Sequence, residues 1–240
     1  METVRALFAQ AHTAHPSNTR ALTAWAGTEA RASNATGATA LLQKATRVQG
    51  HFRGGCRDAS VFATLGEVLW REEKDAKKAR DAFRRAISVD AALARSYQSW
   101  AKMEADLGEA PRARELLQQG IWGCSSGVPD RASVAKLWLA SAALEASEAL
   151  EPLRPSEDSL RLAEAARRAF RSALEDASCE QSLAAHCVTT WATFEVAFGE
   201  RDRARALLED RLKASPLEVS LWRALLGGHL GCAAVAWCRV

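Results

Sequence analysis

The sequence predicts an all-α fold, a right-handed α-solenoid of antiparallel helix pairs, on three observations. Hydrophobic residues make up 48% of the 240 positions, yet Tyr occurs once and Val and Ile are few, which leaves little to build a sheet from. Eight aromatic residues are Trp, against seven Phe, so Trp serves one recurrent purpose. That purpose is visible as a period: Trp-Ala-x-x-Glu recurs along the chain, followed by Ala-Arg-x-x-Leu or Ala-Arg-x-x-Phe.

Taken in order, the elements form one array over 1–240. Val4-Arg5-x-x-Phe8-x-x-Ala11 is a second helix without a first, a half unit at 1–15. Trp25-Ala26-x-x-Glu29, then Ala38, Leu42 and Ala45, define a unit at about 16–48, with Ser33 where other units carry glycine. Ala79-Arg80-x-x-Phe83-x-x-Ala86 marks a unit at 57–90 whose first helix lacks the Trp and Glu positions. The fullest copy, at 93–124, reads Tyr97-x-x-Trp100-Ala101-x-x-Glu104, Gly108 and Ala113-Arg114-x-x-Leu117-x-x-Gly120. In the unit at 131–178, Trp138, Ala142 and Glu145 match a first helix and Ala166-Arg167-x-x-Phe170-x-x-Ala173 a second. Extra residues separate them, around Leu150 to Ser156. Trp191-Ala192-x-x-Glu195, Gly199 and Ala204-Arg205-x-x-Leu208 give the unit at 181–214, and Trp222 lies in a partial unit at 216–240.

Each half reads as a helix for a physical reason. Trp100 and Glu104 stand four apart, with Tyr97 three before Trp100, so the three share one face. Gly108 and Gly199 fall where a left-handed residue ends a helix, and Pro16 and Pro216 fall between units. Small residues at the alanine positions let two helices approach, and Trp fills the groove beside them. One such hairpin cannot bury its own apolar face, whereas stacked neighbours can.

These motifs resemble the HAT (half-a-tetratricopeptide) repeat family, whose pattern is an aromatic, Trp-Ala-x-x-Glu, a Gly and Ala-Arg-x-x-aromatic-x-x-Ala. A tetratricopeptide array has the same period. The stretch Ala113-Arg-Glu-Leu-Leu-Gln-Gln-Gly-Ile-Trp122 is similar to chloroplast HAT factors that stabilise and process transcripts, and more distantly to splicing and cleavage-factor scaffolds. The resemblance implies a non-catalytic scaffold in RNA processing or mRNA stability, with single-stranded RNA or RNA-processing proteins as partners. It implies the chloroplast as location, with the nucleus as alternative. Because both ends stop in mid-unit, further repeats or a homo-oligomer joined through the open ends are also expected.

Composition bounds the rest. A net charge of +3 permits RNA without demanding it. The six cysteines form no Cys-x-x-Cys pair and no zinc spacing, and scattered thiols fit a reducing, intracellular setting. No apolar run is long enough to span a bilayer. No nucleophile motif, phosphate loop or zinc helix appears, and His51-Phe-Arg-Gly-Gly-Cys56 has no preceding strand to make it a phosphate cradle. The sequence therefore predicts no enzyme, cofactor, metal or small-molecule substrate.

Glu29, Glu104, Glu145 and Glu195 recur once per unit, which points to structural ion pairs rather than acid–base catalysis. Arg114, Arg167 and Arg205 of the following helices are the expected partners, with Thr39 in the first unit. Trp25, Trp100, Trp138 and Trp191 are read as packing residues, as are Trp70 and Trp122 outside the repeat position. The expected RNA-binding surface is Lys74, Lys77, Lys78, Arg84 and Arg85, opposite the inward face of Ala79, Phe83 and Ala86; a solvated helix face explains the same pattern. Arg161, Arg168 and Arg171 form a weaker patch. A protein–protein scaffold without RNA contact is the competing reading.

Overall fold

The computed structural model describes residues 2–48, 58–126, 130–151 and 156–226. The His51–Cys56 run, Cys232, Cys238, the apolar tail beyond Leu226 and most of the 150–156 insertion lie outside them. The described chain is helical, without a strand. It divides into two compact units, Met1–Gly123 and Cys124–Val240.

The first unit holds α1 (Glu2–Ala14), α2 (Thr19–Arg31), α3 (Ala35–Val48), α4 (Ala59–Arg71), α5 (Ala76–Val89) and α6 (Ala94–Asp106), with α7 (Ala110–Ser125) running to its boundary. α2 packs on α3 and α4 on α5 as antiparallel pairs, and α1 lies against α2. The second unit holds α8 (Arg131–Leu150), α9 (Glu157–Asp176), a 3-10 turn (Ala177–Cys179), α10 (Gln181–Phe198), α11 (Arg201–Ala214) and α12 (Val219–Leu226). Here α8 pairs with α9 and α10 with α11, and α12 packs on both α10 and α11.

Short polar residues start many of these helices by accepting from otherwise unpaired amides. Asn18, Asp58 and Asp75 cap α2, α4 and α5, and Ser156 and Ser159 form a reciprocal capping box on α9. The turn inside a pair is equally regular. A single residue with positive φ closes it: Ser33 (59°), Lys74 (55°), Gly108 (81°) or Gly199 (98°). The next amide then bonds back to the helix: Asn34 to the Glu29 carbonyl at 2.9 Å, Glu109 to Glu104 at 2.8 Å and Glu200 to Glu195 at 2.8 Å. At Lys74 the bond runs from Asp75 to Leu69, one residue further back, at 3.2 Å. Glycine occupies the left-handed position freely, whereas Ser33 and Lys74 hold it against the Cβ penalty.

The cores are seams of small residues. In the second unit Ala142, Ala146 and Ala149 meet Ala163, Ala166 and Ala169, all buried, with Phe170, Trp191 and Phe194 packed beside them. In the first, Leu22, Ala26, Ala38, Leu42 and Ala45 join Val61, Phe62 and Ala86. Gly66 stands in α4 where the fullest copy has Trp100. A Cβ there would lie 2.8 Å from the Phe83 ring, so the missing side chain makes room for Phe83.

Because Lys74 holds φ 55° in an exposed turn, Lys74→Gly should stabilise the fold by about 1 kcal/mol. Urea unfolding reads this directly, and a loss of stability would show that the lysine side chain outweighs the strain.

Candidate functional site

The recurring polar residues converge on one three-part contact, found at three places. At each, a Glu is buried in the first helix of a pair. A Trp four residues earlier donates to it, and an Arg from the preceding second helix grips both carboxylate oxygens. Glu29 accepts from Arg5 Nε and Nη2, both at 2.7 Å, and from Trp25 Nε1 at 3.1 Å. Glu104 accepts from Arg80 at 2.9 and 2.7 Å and from Trp100 at 2.7 Å. Glu195 accepts from Arg167 at 2.9 and 2.8 Å and from Trp191 at 2.9 Å. Three residues after each Arg, a Phe ring lies nearly parallel to the same Trp. Centroids are 6.1 Å apart for Phe8–Trp25, 6.2 Å for Phe83–Trp100 and 5.8 Å for Phe170–Trp191.

This corrects the expected pairing. The bidentate partner of Glu104 is Arg80 rather than Arg114, that of Glu195 is Arg167 rather than Arg205, and Arg167 does not serve Glu145 in this role. The reason is helical geometry. Ala79 and Ala166 are buried toward their own first helices, and Arg80 and Arg167, about 100° further round, point toward the next pair. From within the same pair, Arg112 reaches Glu104 at 3.4 Å and lies over the Trp100 ring, and Arg203 reaches Glu195 at 3.8 Å. Arg205 is exposed and makes no ion pair among the described residues. Thr39 donates to Glu73 at 2.8 Å, a carboxylate of the α4–α5 turn.

The carboxylates respond to these partners. The Arg5 and Asn34 hydrogen bonds lead in holding the Glu29 pKa down at about 2, against its ordinary 4.5. For Glu104, burial works to raise the pKa, but the bonds from Arg80 and Trp100 and the charge of Arg112 outweigh it and leave it lowered.

Trp100 and Trp191 are buried and Trp25 half-buried. Trp138 is half-buried against the Ala142–Phe170 core, but it stands three residues before Ser141, which holds the position equivalent to Trp100. Trp70 packs partway, its Nε1 3.4 Å from Asp106. Trp122 corrects the packing expectation: it is 77% exposed, because it lies off the Leu116–Leu117 face that turns inward on α7.

The five candidate cations do not form one band. Lys74 sits in the α4–α5 turn with its ammonium 5.4 Å from the Trp70 ring centre. Lys78 bonds Asp75 at 3.0 Å and Arg84 bonds Asp81 at 2.6 Å, which offsets their charge locally. Lys77 and Arg85 are exposed and make no ion pair among the described residues. Lys78, Arg84 and Arg85 instead edge a cavity of about 640 Å³ over α4, whose apolar lining is Phe62, Leu65, Leu69 and Ala82. On its α3 side lie Gln43 and Thr46.

Arg5, Arg80, the three stacking Phe residues and the apolar lining of the cavity were absent from the expected site. The fixed separation of 24 residues from Arg5 to Glu29 and from Arg80 to Glu104 was a usable signal for the first of these. The cavity has no repeat signature, because it lies where the motif lapses. No group of described His, Cys, Asp or Glu residues is arranged to hold a metal, and no described helix is long and apolar enough to cross a membrane.

No protein-family model and no curated protein matches the chain. Solved structures do. Human IFIT1, as a dimer with m7Gppp-AAAA, is 14% identical with a TM-score of 0.57, over 88% of this chain and 45% of that one. The APC/C hetero-tetramer Cut9-Hcn1 is 14% identical with a TM-score of 0.56, over 93% of this chain and 38% of that one. YrrB, a TPR protein with an unusual peptide-binding site, is 15% identical with a TM-score of 0.45, over 90% and 96%. The chain thus spans less than half the length of the first two. At such identities the likeness is one of fold: these are TPR-like helical repeats.

Arg80→Met should cost roughly 2–4 kcal/mol, less than a fully buried pair because the guanidinium is partly solvated. In a double-mutant cycle the loss should shrink when Glu104 is already Gln; additive losses would deny the coupling. A second outcome concerns acid. With its folded pKa depressed to about 2, Glu29 contributes stability fully above pH 4.5, and that contribution fades as pH falls toward 2. Thermal melts of wild type and Glu29→Gln should differ at pH 7 and converge near pH 2.

Proposed function

We propose that the chain is a non-catalytic scaffold that holds another protein, with its docking surface in the first unit. The observation that carries this reading is the cavity over α4, whose floor of Phe62, Leu65 and Leu69 is open beside a polar edge. Most of the motif residues face inward and bind each other, so they hold the repeats together and leave recognition to side chains outside the pattern. Apolar surface rimmed by polar groups is the usual mark of a protein contact. The exposed Trp122 adds a second apolar feature of that kind. The likeness to Cut9-Hcn1, which is a hetero-tetramer, accords with a scaffold role. The HAT resemblance supports a role for such a scaffold in RNA processing or mRNA stability, and supports the chloroplast as its location.

Two observations favour a second reading, direct binding of single-stranded RNA: Lys77 and Arg85 on one helix make no ion pair among the described residues, and IFIT1 of similar fold is seen with m7Gppp-AAAA. The two separate by salt. A phosphate-binding surface would shift a labelled single-stranded RNA strongly at low ionic strength and lose it with Lys77→Glu plus Lys78→Glu. The scaffold reading expects no such shift. It expects instead a stoichiometric protein partner captured by the tagged full chain that survives ribonuclease treatment. Capture abolished by ribonuclease would overturn it.

A further inference from the structure

Resting on the scaffold reading, we infer that the α4 cavity is a receptor for an acidic amphipathic helix: a partner segment with an apolar stripe about two turns long, flanked by Asp or Glu. Phe62, Leu65 and Leu69 recur at helical spacing, so they form one stripe along α4. Seven residues of helix span about 10 Å, which fixes the length of the complementary stripe. Phe62 and Leu69 are largely buried beneath the opening and Leu65 only partly, which leaves a floor rather than a protruding knob. A volume of about 640 Å³ takes several side chains rather than one.

Charge decides what flanks that stripe. Lys78 and Arg85 also stand seven apart, on α5, and α5 runs antiparallel to α4. Lys78 therefore edges the Leu69 end and Arg85 the Phe62 end. Arg84 adds a third cation, and Asp81, the carboxylate that lines the cavity, is already bonded to it at 2.6 Å. Lys78 remains 65% exposed although it pairs with Asp75 at 3.0 Å and Glu73 at 4.0 Å. The edge thus carries a cation at each end of an apolar floor, and Arg85, at the Phe62 end, makes no ion pair among the described residues. A helix whose apolar anchors at i, i+3 or i+4, and i+7 are bracketed by carboxylates satisfies both features at once. A nucleic-acid strand meets the cations but leaves the floor uncovered.

The test uses the full chain and a phage-displayed library of random peptides about four helical turns long. Enriched sequences should carry Leu, Ile or Phe at helical spacing with Asp or Glu on both flanks. Binding of such a peptide, read by fluorescence anisotropy, should weaken at least about tenfold with Lys78→Glu plus Arg85→Glu, and a charge-reversed peptide should gain on that variant. Both positions are exposed, so the melting temperature serves as a folding control, and Arg85→Glu alone gives a second, milder variant. Enrichment without acidic flanks, binding indifferent to the variants, no enrichment at all, or displacement by poly(U) would each overturn this occupant. If a ribonuclease-resistant partner is still captured in those cases, the scaffold reading stands with its contact elsewhere on the chain.

Discussion

A carboxylate buried between helices is unstable unless every oxygen is satisfied, and this chain satisfies it from three directions. An arginine of the preceding helix supplies two parallel bonds to Glu104 and to Glu195, and a tryptophan of the same helix adds a third. Charge-assisted, bidentate bonds are strong and directional. Their value here is orientation as much as energy, since a buried pair contributes little net stability over an apolar alternative. The guanidinium fork accepts only one placement of the next helix pair, so register between successive repeats follows from it. The Phe stacked on the Trp beside it fills the remaining space.

The same glutamate also ends its own helix. Its backbone carbonyl receives the amide that follows the left-handed residue at Ser33, Gly108 or Gly199. One residue thereby sets both the turn within a pair and the contact to the preceding pair. That double duty explains why Glu and the left-handed position keep a constant distance in the sequence.

Where the pattern lapses, the surface changes. α4 carries Gly66 instead of the Trp, and Phe83 moves against that glycine. Freed from the Trp–Glu contact, α4 presents Phe62, Leu65 and Leu69 to a cavity edged by α5 cations. The proposed docking surface therefore lies in a unit that departs from the pattern.

The amino-acid sequence by itself determined the helices, their pairing and the positions of their turns. Periodicity at Trp25, Trp100 and Trp191, together with alanine at the close-approach positions, is local information that spacing alone conveys. It also pointed to glutamates in structural ion pairs, and Glu29, Glu104 and Glu195 lie in such pairs. Only the tertiary structure decided which arginine meets which glutamate, because Ala-Arg sits next to two candidate carboxylates in sequence and side-chain direction chooses between them. It likewise divided Lys74, Lys77, Lys78, Arg84 and Arg85 among a turn, local ion pairs and a cavity edge. Those divisions depend on Glu73, Asp75, Asp81 and Trp70 lying within reach, and on a floor built from α4. Such neighbourhoods arise from packing between helices, which no period along one chain records.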